Sequence, residues 1–332
     1  MIFDMQKQNI YGRAFEYATI DAISRAFSAT ILQNDVYLHA RDNYLSLGKC
    51  QRHDMDLAAV AGVKMLLQLE PLYLEDESVT AWIQPDSCGV KGDVRDVLIQ
   101  TSSNRIIGVS CKHNHEAMKH SRLSASIDFG KEWMGYPCSN EYFNRITPIF
   151  DQLSKLREDG VYWNELGTEK EQIYIAILEA FQYEMDMIIK NHIDAAAKLV
   201  HYLIGTHDFY KIISEDKYRM TSLQAYNMSG TLNVNGGTLK SVTAIPTTPL
   251  PERVISFKMK EESETTLELV CDKGWQISFR IHNAKKQVEP SLKFDIQLIS
   301  GPTKIYKQVN PWYDREKVYL EYVKKLYEIF KD

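Results

Sequence analysis

The chain has 332 residues, 44% of them hydrophobic, which is enough for one large domain or two smaller ones with real cores. Its formal charge of −5 argues against a general nucleic-acid coat protein, but phosphate binding depends on local charge and not on the total. The five cysteines (Cys50, Cys88, Cys111, Cys138 and Cys271) form no CxxC pair, which excludes the spacing of a structural zinc ribbon and points to reduced thiols.

The first residues, MIFDMQKQNIYGRAFEY, lack the basic start and apolar run of a secretory signal. No uncharged apolar stretch reaches the roughly 18 residues of a membrane span. A soluble, cytoplasmic protein is expected.

Residues 12–33 place apolar side chains at helical spacing and predict an amphipathic helix, and a second helix is expected over Met55–Leu69 after Asp54 and Asp56. Short strand-like runs follow at 78–83 (SVTAWI), 96–101 (DVLIQT) and 105–111 (RIIGVSC). Ser102-Ser103-Asn104 has turn chemistry, so the last two runs read as a hairpin. Helix is expected again over 168–212, broken at Gly205. From about Tyr218 the chain reads as strand-rich, punctuated by Gly236, Gly237 and prolines 246, 249 and 251. Two runs there stand out, WQISFRIHN (275–283) and SLKFDIQLI (291–299), and the tail over 314–331 has the pattern of an amphipathic helix. The expected organisation is a helical and mixed core over 1–215 and a β-rich recognition region over 216–332.

The stretch GDVRDVLIQTSSNRIIGVSCKHNHEAMKHSRLS (92–124) concentrates the chemistry. Pairing about a Ser102-Ser103-Asn104 loop sets Asp96 opposite Ser110, and period-2 alternation puts Ser110 and Lys112 on the face of Asp96. A shift of one residue would bring Asp93 and Arg95 there instead. A carboxylate facing a lysine across a hairpin suits metal-assisted phosphodiester hydrolysis, in which a metal polarises the phosphate and a cation meets the developing charge. Magnesium, which prefers few carboxylates and keeps several waters, is the ion such a site would take. Asp96 is the first choice of ligand and Asp93 the reserve. An ordinary pairing of strand lysine and surface aspartates accounts for the same pattern. Around it, Arg105, Lys112, Lys119 and Arg122, with His113, His115 and His120, make a locally basic run set against Glu116 alone, suited to phosphates. A solvated helix face reads equally well. Cys111, His113, His115, His120 and Cys138 do not match a tetrahedral zinc spacing.

The pattern Asp96…Ser110-Cys111-Lys112 resembles the PD-(D/E)xK nuclease hairpin, with serine in the place of the second acid. Serine is a poor magnesium ligand, so either a further carboxylate reaches the metal or the site holds it through fewer protein oxygens. The resemblance implies Glu16 on the first helix, or Glu116 beyond the strand. The combination of GDVRDVLI, GVSCKHNHEAMKHSRLS, IDFGKEW, PCSNEYFNRITPIF and WQISFRIHNAKKQVEPSLKFDIQL, together with GRAFEY at 12–17, resembles the HaeIII family of type II restriction endonucleases over most of the chain. That resemblance implies an α+β or α/β PD-(D/E)xK-like core, a mixed sheet flanked by helices, with a β-rich C-terminal region. It further implies cleavage of double-stranded DNA at GGCC with magnesium, and a cognate cytosine methyltransferase as functional partner. The rival is a catalytically degenerate DNA-binding protein on the same fold, suggested by Ser110.

A GC-rich site is read in the major groove by arginine or lysine to guanine and by acids or amides to cytosine. Arg280 and His282 share one face of their strand, with Asn283 and Lys285 following, and this hairpin is the base-reading candidate. Ser139, Asn140, Arg145, Lys119 and Arg122 are further DNA-binding candidates.

Overall fold

A computed structural model of the chain describes residues 2–71, 78–85, 87–90, 92–114, 121–234, 236, 243–303 and 305–312. The elements begin with α1 (Ile2–Phe27), β1 (Thr30–Ile31), α2 (Asp35–Ser46), α3 (Lys49–Leu69), β2 (Val79–Ile83), α4 (Ser87–Val90), β3 (Val97–Thr101) and β4 (Ile106–His113). There follow β5 (Arg122–Leu123), α5 (Phe129–Met134), α6 (Asn140–Glu158), α7 (Thr168–Asn191), α8 (Ala195–Ile204), β6 (Phe209–Glu215) and β7 (Met220–Tyr226). The remaining described strands are β8 (Val254–Met259), β9 (Thr266–Cys271), β10 (Gln276–His282), β11 (Leu292–Ser300) and β12 (Tyr306–Pro311). No helix among the described residues is long and apolar enough to cross a membrane.

The described residues fall into two units, one from Met1–His115, His207–Thr248 and Ile305–Asp332, the other from Glu116–Thr206 and Pro249–Lys304. The first unit holds a mixed sheet in the order β1-β2-β3-β4-β6-β7-β12. Its strands are antiparallel from β2 to β4 and from β6 to β12, with a parallel join of β4 to β6. Phe15, Ala18, Ala22 and Ile23 recur at helical spacing along α1 and bury with Ala58, Ala59, Val63 and Leu66 of α3 against Ile99, Val109, Cys111 and Ile212 of the sheet. Residues 109, 111 and 113 of β4 therefore turn to the α1 side, and 110 and 112 turn away. Where α3 meets β6, a Cβ on Gly62 would lie 2.6 Å from Ile212 Cγ2, so this close approach requires glycine.

The second unit holds an antiparallel sheet in the order β5-β11-β10-β9-β8. Alternation along β10 and β11 buries Ile277, Phe279, Ile281, Phe294 and Ile296. Phe181 of α7 enters this face, with ring centroids 4.9 Å from Phe294, 4.6 Å from Phe129 and 5.6 Å from Trp133.

The mixed α+β class with a sheet flanked by helices agrees with expectation. Several boundaries do not. The first helix begins before residue 12 and stops at Phe27, because Ser28 takes a left-handed φ of 52°. The second starts at Lys49, where the Gly48 amide donates to Gln51 Oε1 at 2.9 Å. Helix does not continue over 209–212. That run is β6, apolar without period because its strand is buried on both faces, and such a run reads as either element. α2, α5 and α6 were not anticipated. The division expected at 215/216 falls between β6 and β7, adjacent strands of one sheet. The amphipathic segment 314–331 lies outside the described residues.

Phe181 makes ring contacts on several sides and is fully buried. Phe181→Ala is expected to cost about 3–5 kcal/mol through lost contacts and a residual cavity, read as a shift of the denaturation midpoint at unchanged slope.

Candidate active site

The β3–β4 hairpin pairs Val97 with Val109, Leu98 with Gly108, Ile99 with Ile107 and Gln100 with Ile106. Continued by one step, this register sets Asp96 opposite Ser110, as the turn chemistry predicts. Asn104, at φ 61°, supplies the left-handed turn residue, and its amide donates to Thr101 O at 3.0 Å.

Three donors from β4 meet Asp96 Oδ2: the Cys111 amide at 2.7 Å, the Ser110 hydroxyl at 3.2 Å and the Lys112 ammonium at 3.5 Å. Among the described residues the donors to this carboxylate all reach Oδ2. The Asp96 side chain thus replaces a strand partner for the Cys111 amide, which ties its position to the backbone of β4. Ser110 is almost fully buried and acts as a neutral donor to Asp96.

Glu16 comes from α1 and is only 8% exposed. Its carboxylate accepts from Arg13 at 2.7 Å. Burial and the nearby Asp96 charge push its pKa up to about 7, against the pull of Arg13 and Lys112. Burial works to lower the Lys112 pKa, but the charges of Asp96 and Glu16 outweigh it, and the net shift is upward. Burial, Asp96 and Glu16 likewise push the Cys111 thiol well up, so it stays a neutral packing group. Asp96, Lys112 and Glu16 therefore form one electrostatic cluster within the first unit.

Asp93, the reserve ligand, has another engagement. Arg95 grips both its oxygens at 2.7 Å, Gln84 donates at 3.1 Å and His207 lies 4.0 Å away. Burial opposes ionisation of Asp93, but these bonds to Arg95 and Gln84 prevail and hold its pKa below the usual carboxylate range. The Arg95 stem lies over Gly108, where a Cβ would come within 1.9 Å of its Cδ. Glycine at 108 makes room for that ion pair.

His113 does not offer itself to a ligand surface as expected. Alternation turns it to the α1 side, where it is buried beside Tyr11 and Phe15, with ring centroids at 5.1 and 6.3 Å. Its Nε2 lies 3.1 Å from Asp216 Oδ2. Asn114 donates to the same carboxylate at 2.9 Å and accepts from the Asp216 amide at 2.8 Å, closing the end of β4 onto the turn after β6. The sequence offers no signal for this contact, since its members lie about a hundred residues apart. His115, Glu116 and Lys119 lie outside the described residues.

In the second unit Ser139 caps α6, its hydroxyl accepting from the Tyr142 amide at 3.2 Å while its own amide and hydroxyl donate to Glu184 at 2.7 and 2.6 Å. Asn140 is exposed, and Arg145 pairs with Glu141 at 2.8 Å over the Tyr183 ring. Arg280 and His282 share the outer face of β10 as predicted, Arg280 with Asp295 at 3.7 Å. Asn283 accepts from the Tyr174 hydroxyl at 3.1 Å, and Lys285 pairs with Glu289 at 2.6 Å. Arg122 is exposed and donates to the Ser291 hydroxyl at 3.2 Å. Among the described residues no group of three or more His, Cys, Asp or Glu side chains converges as a metal cluster.

A mixed sheet flanked by helices, with an aspartate, a lysine and a helix-borne glutamate gathered at one hairpin, has the organisation of a restriction endonuclease. A model of the HaeIII restriction endonuclease family matches residues 12–302. The chain is 41% identical over 313 residues to the type II restriction enzyme HaeIII of Haemophilus aegyptius, covering 92% of this chain and 98% of that protein. The chain belongs to the HaeIII restriction endonuclease family and is a site-specific restriction endonuclease. No solved structure matches it.

The raised pKa of Glu16 has a signed effect on stability. Unfolded, the group titrates near 4.5, and folded, near 7, so its contribution is fully present below pH 4.5 and is lost as pH rises through 7. The stability difference between wild type and Glu16→Gln, measured in chelator by denaturant unfolding, should therefore fall by on the order of 3 kcal/mol between about pH 4 and pH 8. A pH-independent difference would show that burial and Asp96 do not raise the Glu16 pKa.

Proposed function

We propose that this endonuclease cleaves double-stranded DNA at GGCC, using a magnesium ion held by Asp96 and Glu16. The carrying observation is the gathering of Asp96, Lys112 and Glu16, with Lys112 Nζ at 3.5 Å from Asp96 Oδ2 and Glu16 destabilised as an anion by its burial and by Asp96. A buried carboxylate that is costly as an anion beside a second carboxylate suits a divalent cation, and magnesium commonly takes one or two carboxylates and fills the rest of its shell with water and substrate phosphate. When bound, the cation supplies a polarised phosphate and an acidified water.

The remaining roles belong to side chains. Lys112 stays protonated at neutral pH, because two carboxylates raise its pKa, and so it counters charge on the phosphate and orients the water, without taking a proton. Ser110 and the Cys111 amide hold Asp96 Oδ2 and so fix the carboxylate that faces the substrate. Ser110 stands where related hairpins carry an acid, and Glu16 makes up that charge from α1. Arg280, His282, Asn283 and Lys285 are the candidates for groove contacts, as their exposed strand face and following turn allow. Exposed Asn140 remains a candidate for the same duty. A cytosine methyltransferase acting on GGCC would protect the host genome, which places the enzyme in a restriction-modification pair.

Purified protein, unmethylated plasmid and magnesium should give discrete fragments ending at GGCC, and prior methylation of those cytosines should block them. An intact plasmid across several divalent ions would sink the proposal. Lys112→Ala should cut about 10²–10³-fold more slowly while still binding the site, measured by single-turnover cleavage and by duplex binding in chelator. Normal cutting by that variant would remove Lys112 from the mechanism.

A further inference from the structure

The outer face of the second unit's sheet carries a row of like charges. Arg122 of β5 pairs in register with Lys293 of β11, and Lys293 pairs in register with His282 of β10. Directly opposed residues stand on one face with Cβ atoms about 4.5–5.5 Å apart, and like charges so placed destabilise a sheet. Alternation assigns the face: Leu292 and Phe294 are buried, whereas Lys293 is half-buried and Arg122 exposed. Burial first, and then the Arg122 charge, lower the Lys293 pKa, with Glu289 pulling the other way. The acids nearby are engaged with other cations, Asp295 with Arg280 at 3.7 Å and Glu289 with Lys285 at 2.6 Å. One row further along β10 the neighbours change to Thr266 and Asp295, so the opposed cations are confined to one end of the sheet.

An acidic chain that sets two cations and a histidine in file across three strands gains nothing for its fold from doing so. We infer that Arg122, Lys293 and His282 form a phosphate-binding row, which grips the backbone of duplex DNA without reading its sequence. The inference rests on the DNA-cleavage reading above and adds to it a positioning surface in the second unit, with Lys293 as its central member. An anionic backbone laid on the row would relieve the mutual repulsion, so binding and sheet stability reinforce each other. Arg122 is already aimed, through its bond to the Ser291 hydroxyl at 3.2 Å.

The test uses the full chain in chelator, which prevents cutting, and two labelled duplexes of about two helical turns, one with GGCC and one without. Anisotropy titrations at about 50–200 mM salt give affinity and its salt slope. Lys293→Gln and Arg122→Gln should each weaken both duplexes by the same factor, about five- to tenfold, and flatten the slope by about one unit. Lys293→Arg should restore both quantities. The melting temperature of Lys293→Gln should be unchanged or higher, because a repulsion has been removed. An unchanged slope, or a loss confined to the GGCC duplex, would overturn the row, as would a lowered melting temperature without rescue by arginine. Wild-type binding to both duplexes with Lys293→Gln unaffected rejects the row alone. Failure of the wild type to bind either duplex removes the DNA reading along with it.

Discussion

The bond from the Cys111 amide to Asp96 Oδ2 is the constraint on which the catalytic arrangement depends. It makes the acid part of the strand ladder, so the position of the carboxylate follows from hairpin register and not from a freely rotating side chain. A slip of one residue would carry Asp96 to the α1 side and Lys112 away from it. The register is in turn held by the turn at Asn104 and by Val97, Ile99, Ile107 and Val109, whose burial under α1 and α3 leaves no alternative pairing that keeps them dry. Hydrophobic packing of the hairpin thus fixes the positions of Asp96 and Lys112.

The same packing accounts for Glu16. Glu16 lies one turn along α1 from the core residue Ile20 and is buried with it, with Arg13 and Lys112 as the cations that balance its charge. Burial and proximity to Asp96 then make its ionised form costly. Serine at 110 fits this arrangement. A third carboxylate there would sit almost fully buried within reach of Asp96, adding repulsion to a place already short of positive charge.

How much of this was legible in the sequence varied with distance along the chain. The hairpin, its facing residues and the Asp96–Ser110 register could be read, because alternation and turn chemistry act within a few residues. Glu16 was reached only through family resemblance, since nothing local says which helix covers a strand eighty residues later. Helix is expected over 209–212 in error because a strand buried on both faces loses its period, and Phe, Tyr and Ile in sequence suit either element. His113 was assigned to a ligand surface on composition, when its odd position on β4 already turned it toward α1. The pairing of Arg122 with Lys293 escaped notice entirely, because β5 is two residues long and carries no pattern of its own. The joining of Asp216 to Asn114 was hidden for a related reason, as the parallel partner of β4 is supplied only after four helices.

That last feature bears on the order in which the protein can be completed. β4 lies between β3, made immediately before it, and β6, made about a hundred residues later, and β12 closes the far edge later still. While a ribosome is extending the intervening helices, β4 stands as an open strand edge with His113 and Asn114 lacking the Asp216 clasp. A nascent chain therefore carries the Asp96–Lys112 hairpin long before the strand that continues its sheet has been made.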